Sequence, residues 1–238
     1  MLLSAEEYDS WYYTDRGKYI SGLEKRVLLK MIAPKQLSVI NHQLSVIDIG
    51  CGTGYFTQFL GSYCRSIVGV DTSMDMIKYA MIKHKATNIK YLIADAESLP
   101  FKERSFDISL SVTSVNFFKS LIKAVSEAVR ISREKIFIGI LNRWSMLSFF
   151  KKLKSLFKNT SYSDACFYSE GDIVNILSSF PQIKSVYKQH TYFLPFPGTR
   201  LVLSGLERIV PSWLPFGGFM GIAGDMELKQ KRGWGYDA

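Results

Sequence analysis

The stretch Val46-Ile-Asp-Ile-Gly-Cys-Gly-Thr-Gly54 decides the fold of this chain. A short apolar run, Leu44–Ile49, meets glycines at the alternate positions 50, 52 and 54, and Tyr55–Tyr63 then has the composition of a helix. This order reads as buried strand, tight loop and helix. Glycines let a backbone approach a ligand closely, and the helix start presents free N–H groups. The nearest competing pattern is the dinucleotide fingerprint GxGxxG. Counted from Gly50, its third glycine falls on Tyr55 and is missing. The carboxylate of Asp48 also suits an ammonium group better than a pyrophosphate.

Strand and helix signals continue to alternate away from this loop. Ser66–Val70 is a second buried strand that runs into Asp71, and Ile89–Ala94 is a third that runs into Asp95. Phe106–Val112 and Lys135–Leu141 read as the fourth and fifth strands. Between them, Ser73–Lys83 and Leu121–Ile131 have helical periodicity. In the first of these helices Met74, Ile77 and Met81 share one side, with Met76 and Ala80 beside them. Strands separated by helix-length segments imply right-handed crossovers and a parallel sheet. Open sheets of that kind bind ligands beyond the carboxyl ends of their strands. There Asp71 can accept both hydroxyls of a ribose, and its structural alternative is a helix N-cap. Asp95 can take an exocyclic amine, and its alternative is loop capping. Three acids ending three adjacent strands, the first followed by GxGxG, are far more specific together than singly.

The flanks are less regular. Residues 1–35 read as a helical arm in which Leu23, Val27, Leu28 and Met31 recur at helical spacing up to Pro34. Its rings, Tyr8, Trp11, Tyr12, Tyr13 and Tyr19, either dock the arm on the core or close over a ligand. Trp144–Lys158 is apolar and basic, with five positive charges and no acid from Arg143 to Lys158. It reads as an amphipathic helix over the mouth of the site, meeting the ligand or an anionic membrane surface. A cap helix with a solvated lysine face is the alternative. Ser169–Asp172 has capping-box spacing and starts a helix through Leu177. Ile183–Leu194 is a sixth strand, Thr199–Val210 a helix and Gly218–Ala223 a seventh strand.

Composition sets the outer bounds. The chain has 238 residues, 47% hydrophobic and 21% charged, which fits one α/β domain and excludes wholesale disorder. Thirty basic against 21 acidic residues give a net charge of +9. That charge attracts anionic partners such as a phosphorylated metabolite, nucleic acid or lipid surface, or is simply a basic surface. Cys51, Cys64 and Cys166 are too few and too scattered for a disulfide framework or a zinc site, which points to a reducing, cytoplasmic setting. Glu6, Glu7 and Asp9 follow Leu2 and Leu3 too closely for a signal peptide. The longest uncharged stretch, Ile209–Gly224, falls short of the ~20 apolar residues of a membrane span.

DIGCGTG, VGVDTSMDMI, ADAESLPF and FDISLSV together resemble the class I S-adenosylmethionine (SAM)-dependent methyltransferases, in the type 11 group that includes quinone-biosynthesis methyltransferases. The likeness covers about residues 44–141. It implies a Rossmann-like, mostly parallel seven-stranded sheet with helices on both faces and an antiparallel edge hairpin. It also implies one domain over 1–238, with an arm (1–35), a cofactor-binding core (36–141) and variable acceptor-side segments (142–168 and 195–216). In such an enzyme Asp48 and the loop Gly50, Cys51, Gly52, Thr53 and Gly54 hold the methionine part of SAM. Asp71 binds the ribose, with Thr72, Ser73 and Met76 flanking the adenosine. Asp95 binds the adenine amine, with Ala96 and Glu97 beside the ring. Ser111 and Thr113 border the methyl group, and Tyr19 joins from the arm.

The resemblance implies methyl transfer to a small-molecule or lipid-like acceptor, with S-adenosylhomocysteine (SAH) as product and no metal. Such a displacement needs alignment and exclusion of water more than a general base, and none is assigned. Met76 reads equally as helix core. Cys51 reads as a small loop residue, and His42, His84 and His190 as isolated histidines. A SAM-binding regulator without turnover and a nicotinamide oxidoreductase are the alternatives, the latter disfavoured by Tyr55. Ser111-Val-Thr-Ser stands where base methylators often carry Asn/Asp-Pro-Pro-aromatic, which argues against nucleic acid as substrate.

Overall fold

The computed structural model of the protein describes residues 4–32, 43–141, 166, 168–191 and 219–227. The arm forms α1 (Ala5–Ser10), a 3-10 turn (Trp11–Tyr13) and α2 (Asp15–Ile32). Then follow β1 (Ser45–Ile49), α3 (Tyr55–Gly61), β2 (Ser66–Asp71), α4 (Met74–Lys83), β3 (Ile89–Ile93) and β4 (Phe106–Val112). The remaining elements are α5 (Leu121–Ile131), β5 (Ser132–Leu141), α6 (Glu170–Ser178), β6 (Ile183–Thr191) and β7 (Phe219–Met226). The strands form one seven-stranded sheet in the order β3-β2-β1-β4-β5-β7-β6. All pairs from β3 to β5 are parallel, and β7 is antiparallel to both β5 and β6.

Period-two alternation sorts the strand side chains onto two faces. Val46 of β1 and Phe137 of β5 join Val27, Leu28 and Met31 of α2 in one core. Ile136, Ile138 and Ile140 of β5 point the other way, onto Leu121, Val125 and Val129 of α5 and Ile173 and Leu177 of α6. Ile47 and Ile49 of β1 pack with Ala124, Ala128 and Ile131 in a third cluster. The central strands β1 and β4 are buried almost throughout, as parallel strands covered on both faces must be. β3 ends the sheet and leaves Leu92 and Ile93 exposed.

Three details differ from the sequence reading. On α4 the buried side is Ile77 and Ala80, whereas Met74 and Met81 are 53% and 55% exposed. Grouping them with Ile77 followed the apolar residues rather than the face that meets the sheet. The arm is two helices, because Thr14 caps the second: its Oγ1 accepts the Gly17 N–H at 3.0 Å. β5 starts at Ser132, directly after α5, and its hydroxyl contacts the Ala128 carbonyl and the Ser109 hydroxyl, both at 2.6 Å. The capping box at Ser169–Asp172 is present as read. Trp144–Lys158, Thr199–Val210, Pro34 and His42, read above from the sequence, lie outside the described residues. Among the described residues no helix is long and apolar enough to cross a membrane.

Candidate active site

A cleft of about 620 Å³ opens at the carboxyl ends of β1 to β4. Its floor is the glycine loop, fastened to the next strand because the N–H groups of Gly50 and Cys51 both donate to the Val70 carbonyl, at 2.8 and 2.9 Å. Gly50 and Gly54 have φ of 75° and 80°, where side chains are strained. Space forbids a side chain as well: a Cβ on Gly50 would sit 2.4 Å from Ser114 Cβ, and one on Gly54 would sit 2.5 Å from the Tyr91 hydroxyl. A Cβ on Gly52 would find nothing nearer than the Tyr8 ring at 3.8 Å, so the free side of the loop faces the cleft.

Three carboxylates reach the cleft from three neighbouring strand ends. Asp48 is 2% exposed, and its Oδ2 accepts the Thr57 hydroxyl at 2.7 Å. Burial pushes its carboxyl up to about 7; the Thr57 hydrogen bond opposes this and the negative charge of Asp71 adds to it. No described cation pairs with Asp48. Asp71 fastens the loop: Oδ2 accepts the Gly52 N–H and Oδ1 the Ser73 N–H, both at 2.9 Å. Each of its oxygens keeps a lone pair for a ligand. Asp95 is exposed, and its Oδ1 accepts the Glu97 N–H at 2.9 Å. Glu97 in turn accepts the Ser120 N–H at 2.6 Å, at the start of α5. The other end of α5 grips the same loop. Arg130 donates to the Phe101 and Leu99 carbonyls at 2.7 and 3.0 Å, and Glu127 accepts the Leu99 N–H at 2.7 Å.

The expected residues divide between cleft and support. Asp48, Gly50, Cys51 and Gly52 line the cleft, as do Asp71, Thr72, Ser73 and Met76. Asp95, Ala96, Glu97 and Thr113 complete the set. Tyr19 does not join them; it is half-buried on α2, and the arm's rings at the cleft are Tyr8 and Tyr12. Thr53 is buried within the loop, Gly54 lies under Tyr91, and Ser111 shares a hydrogen bond with the Ser114 hydroxyl at 2.5 Å. Ser114 also donates to the Ile49 carbonyl at 2.8 Å, tying the turn after β4 to the end of β1. Thr113 in that turn has φ of 58°, a costly conformation for a β-branched residue.

Burial and the charges of Asp48 and Asp71 push the thiol of Cys51 well up from its ordinary value, which disfavours the thiolate. Buried His190 lies 2.8 Å from Glu170, away from the cleft lining. Among the described residues no cluster of His, Cys, Asp and Glu has the makings of a metal site.

The sequence reading missed the residues that hold the site from outside the motifs. Thr57, Glu127 and Arg130 carry no local signature. The turn residues Phe117, Phe118 and Lys119 also line the cleft. The aromatic cluster in the arm was a visible signal, but not which of its rings faces the ligand.

The profile of the methyltransferase domain family matches residues 47–137. The uncharacterized protein MJ1123 of Methanocaldococcus jannaschii is 35% identical over 188 residues, 76% of this chain and 80% of that protein. The malonyl-[acyl-carrier protein] O-methyltransferase of Pectobacterium atrosepticum is 38% identical over 90 residues, and the chain spans only 35% of its length. Among solved structures, a SAM-dependent methyltransferase of Thermotoga maritima superposes with a TM-score of 0.64 at 24% identity, covering 93% of this chain and 96% of that one. With the glycine loop, the three strand-end acids and the sheet order, these matches establish the family: the chain belongs to the class I SAM-dependent methyltransferases, type 11 group.

Proposed function

We propose that the cleft binds SAM and that the enzyme passes its methyl group to a small-molecule or lipid-like acceptor. The observation that carries this reading is Asp48, a buried carboxylate with no described cationic partner, beside a loop whose free side faces the cleft. Such a group is costly unless a cation meets it, and the α-ammonium of SAM is a cation of the right chemistry. Asp71 has acceptor capacity left for two ribose hydroxyls. Asp95, exposed at the end of β3, is free to take the adenine amine. Thr72 and Met76 flank the nucleoside, and Ala96 lies beside the ring. Glu97 acts by holding the loop to α5. Thr113 borders the methyl end. Thr53, Gly54 and Ser111 serve as supports, and Tyr8 and Tyr12 take the place expected of Tyr19.

SAM supplies an electrophilic methyl on a sulfonium with a neutral leaving group. The chain's part is to orient the cofactor, exclude water and align the acceptor's nucleophile with the methyl carbon. The acceptor enters beside Phe117 and Lys119, and the composition of the basic segment 144–158 suits contact with the acceptor or an anionic membrane surface, or a cap with a solvated lysine face. The free thiols Cys51, Cys64 and Cys166 support a cytoplasmic setting. The test is a screen of metabolite and lipid extracts with methyl-labelled SAM. The expected result is label in one extractable species together with accumulating SAH. Saturable SAM binding with no SAH formed on any extract favours the regulatory reading instead.

A further inference from the structure

Ala5 and Tyr8 of α1 and its N-cap residue Ser4 line the cleft, and Tyr12 follows from the 3-10 turn. The Tyr8 ring stands over the glycine loop, close to the free side of Gly52. Six residues are far too few for a helix to persist unaided in water, so tertiary contacts set the place of α1. Two contacts do so. Tyr12 stacks on Tyr55, with centroids 3.9 Å apart and planes 10° apart. Asp9, on the other side of α1, is 1% exposed and forms an ion pair with Lys83 at the end of α4. The Tyr79 hydroxyl donates to the same carboxylate oxygen at 3.3 Å, and the Tyr13 ring lies 4.4 Å from the Lys83 ammonium. The second oxygen, Oδ1, is buried with no hydrogen-bond partner among the described residues.

A carboxylate buried and half-satisfied in this way is a poor source of stability; an apolar pair of similar volume does as well or better. Its use is geometric, since the pair fixes where α1 lies on α4. We propose that Asp9 and Lys83 are positioning residues that seat α1 over the cleft, so that Tyr8 closes on the bound cofactor. The inference rests on the assignment of the cleft to SAM, and it concerns the wall that residues 44–141 do not supply.

The test combines SAH calorimetry with hydrogen exchange on the full chain. It compares the wild type, Lys83→Gln, Lys83→Arg and the double variant Asp9→Asn/Lys83→Gln. The double variant leaves no lone buried charge, which guards against simple misfolding. In the wild type, SAH should slow amide exchange in the 50–54 loop and in α1 together. Lys83→Gln and the double variant should lose the protection of α1 but keep that of the loop, and should bind SAH roughly tenfold more weakly through faster dissociation. Lys83→Arg should restore both within about twofold. Loop protection by SAH with α1 unchanged in the wild type would overturn the proposal. So would affinity and α1 protection that survive in the double variant. A wild type that binds no SAH overturns the cofactor assignment itself, and this inference with it.

Discussion

The two walls of the cleft are built on opposite plans. The floor and the nucleoside side come from consecutive chain: β1, its loop, β2 and β3 meet as parallel neighbours, and backbone N–H groups from Gly50, Cys51, Gly52 and Ser73 tie them together. The roof comes from far away in sequence. It consists of α1 and the turn after β4, held by side chains: Asp9 on Lys83, Tyr12 on Tyr55, Ser114 on the Ile49 carbonyl. The first plan is rigid and tolerates little change. The second rests on side-chain pairs that can be exchanged one at a time.

The sharpest test of the floor is one substitution made there and again away from the cleft. Gly50→Ala puts a Cβ against Ser114 at a positive φ. It should cost about 2–4 kcal/mol of stability and abolish measurable SAH binding; a folded variant with wild-type affinity contradicts the account. Gly22→Ala, on α2 where a Cβ meets nothing within 4 Å, should instead stabilise by about 0.5–1 kcal/mol in denaturant titration.

Proton linkage at Asp48 is the next largest effect. Its folded pKa of about 7 lies above the ordinary 3.8, so the protonated form favours the native state. That contribution is full below about pH 4 and is lost as pH rises through 7, amounting to a few kcal/mol in the ligand-free protein. An ammonium in the cleft favours the ionised form and reverses the sign. SAH binding at pH 6 should therefore release close to one proton, and at pH 8 almost none. Calorimetry in two buffers of different ionisation enthalpy reads this directly, and equal proton counts at the two pH values would remove Asp48 from the ammonium site. A smaller effect is expected at Asp71. Asp71→Ala should weaken SAH binding by about 1–3 kcal/mol with the fold intact by circular dichroism, and unchanged affinity would misplace the ribose.

The same contrast explains what could be read from the sequence. β1 to β5 were legible because each carries a short apolar run, the first three closed by glycine or aspartate, and helices of clear period lie between most of them. Asp48, Asp71 and Asp95 were legible because a strand end fixes where the following residue goes. The arm defeated the same method. Its rings could either dock on the core or close over a ligand, and nothing in their spacing chooses Tyr8 and Tyr12, which line the cleft, over Tyr19, which does not. Met74 and Met81 misled for a related reason. Period alone does not say which side of an apolar helix meets the sheet. Thr57, Glu127 and Arg130 act through contacts made only after folding, and no spacing announces them.

The central claim is that this cleft is a SAM site and not a dinucleotide site. Titration calorimetry of the purified chain with SAM, SAH and NAD tests it most directly. Saturable one-to-one binding of SAM and SAH, with no heat from NAD beyond dilution, is the predicted result. Saturable binding of NAD with none of SAM or SAH would contradict it.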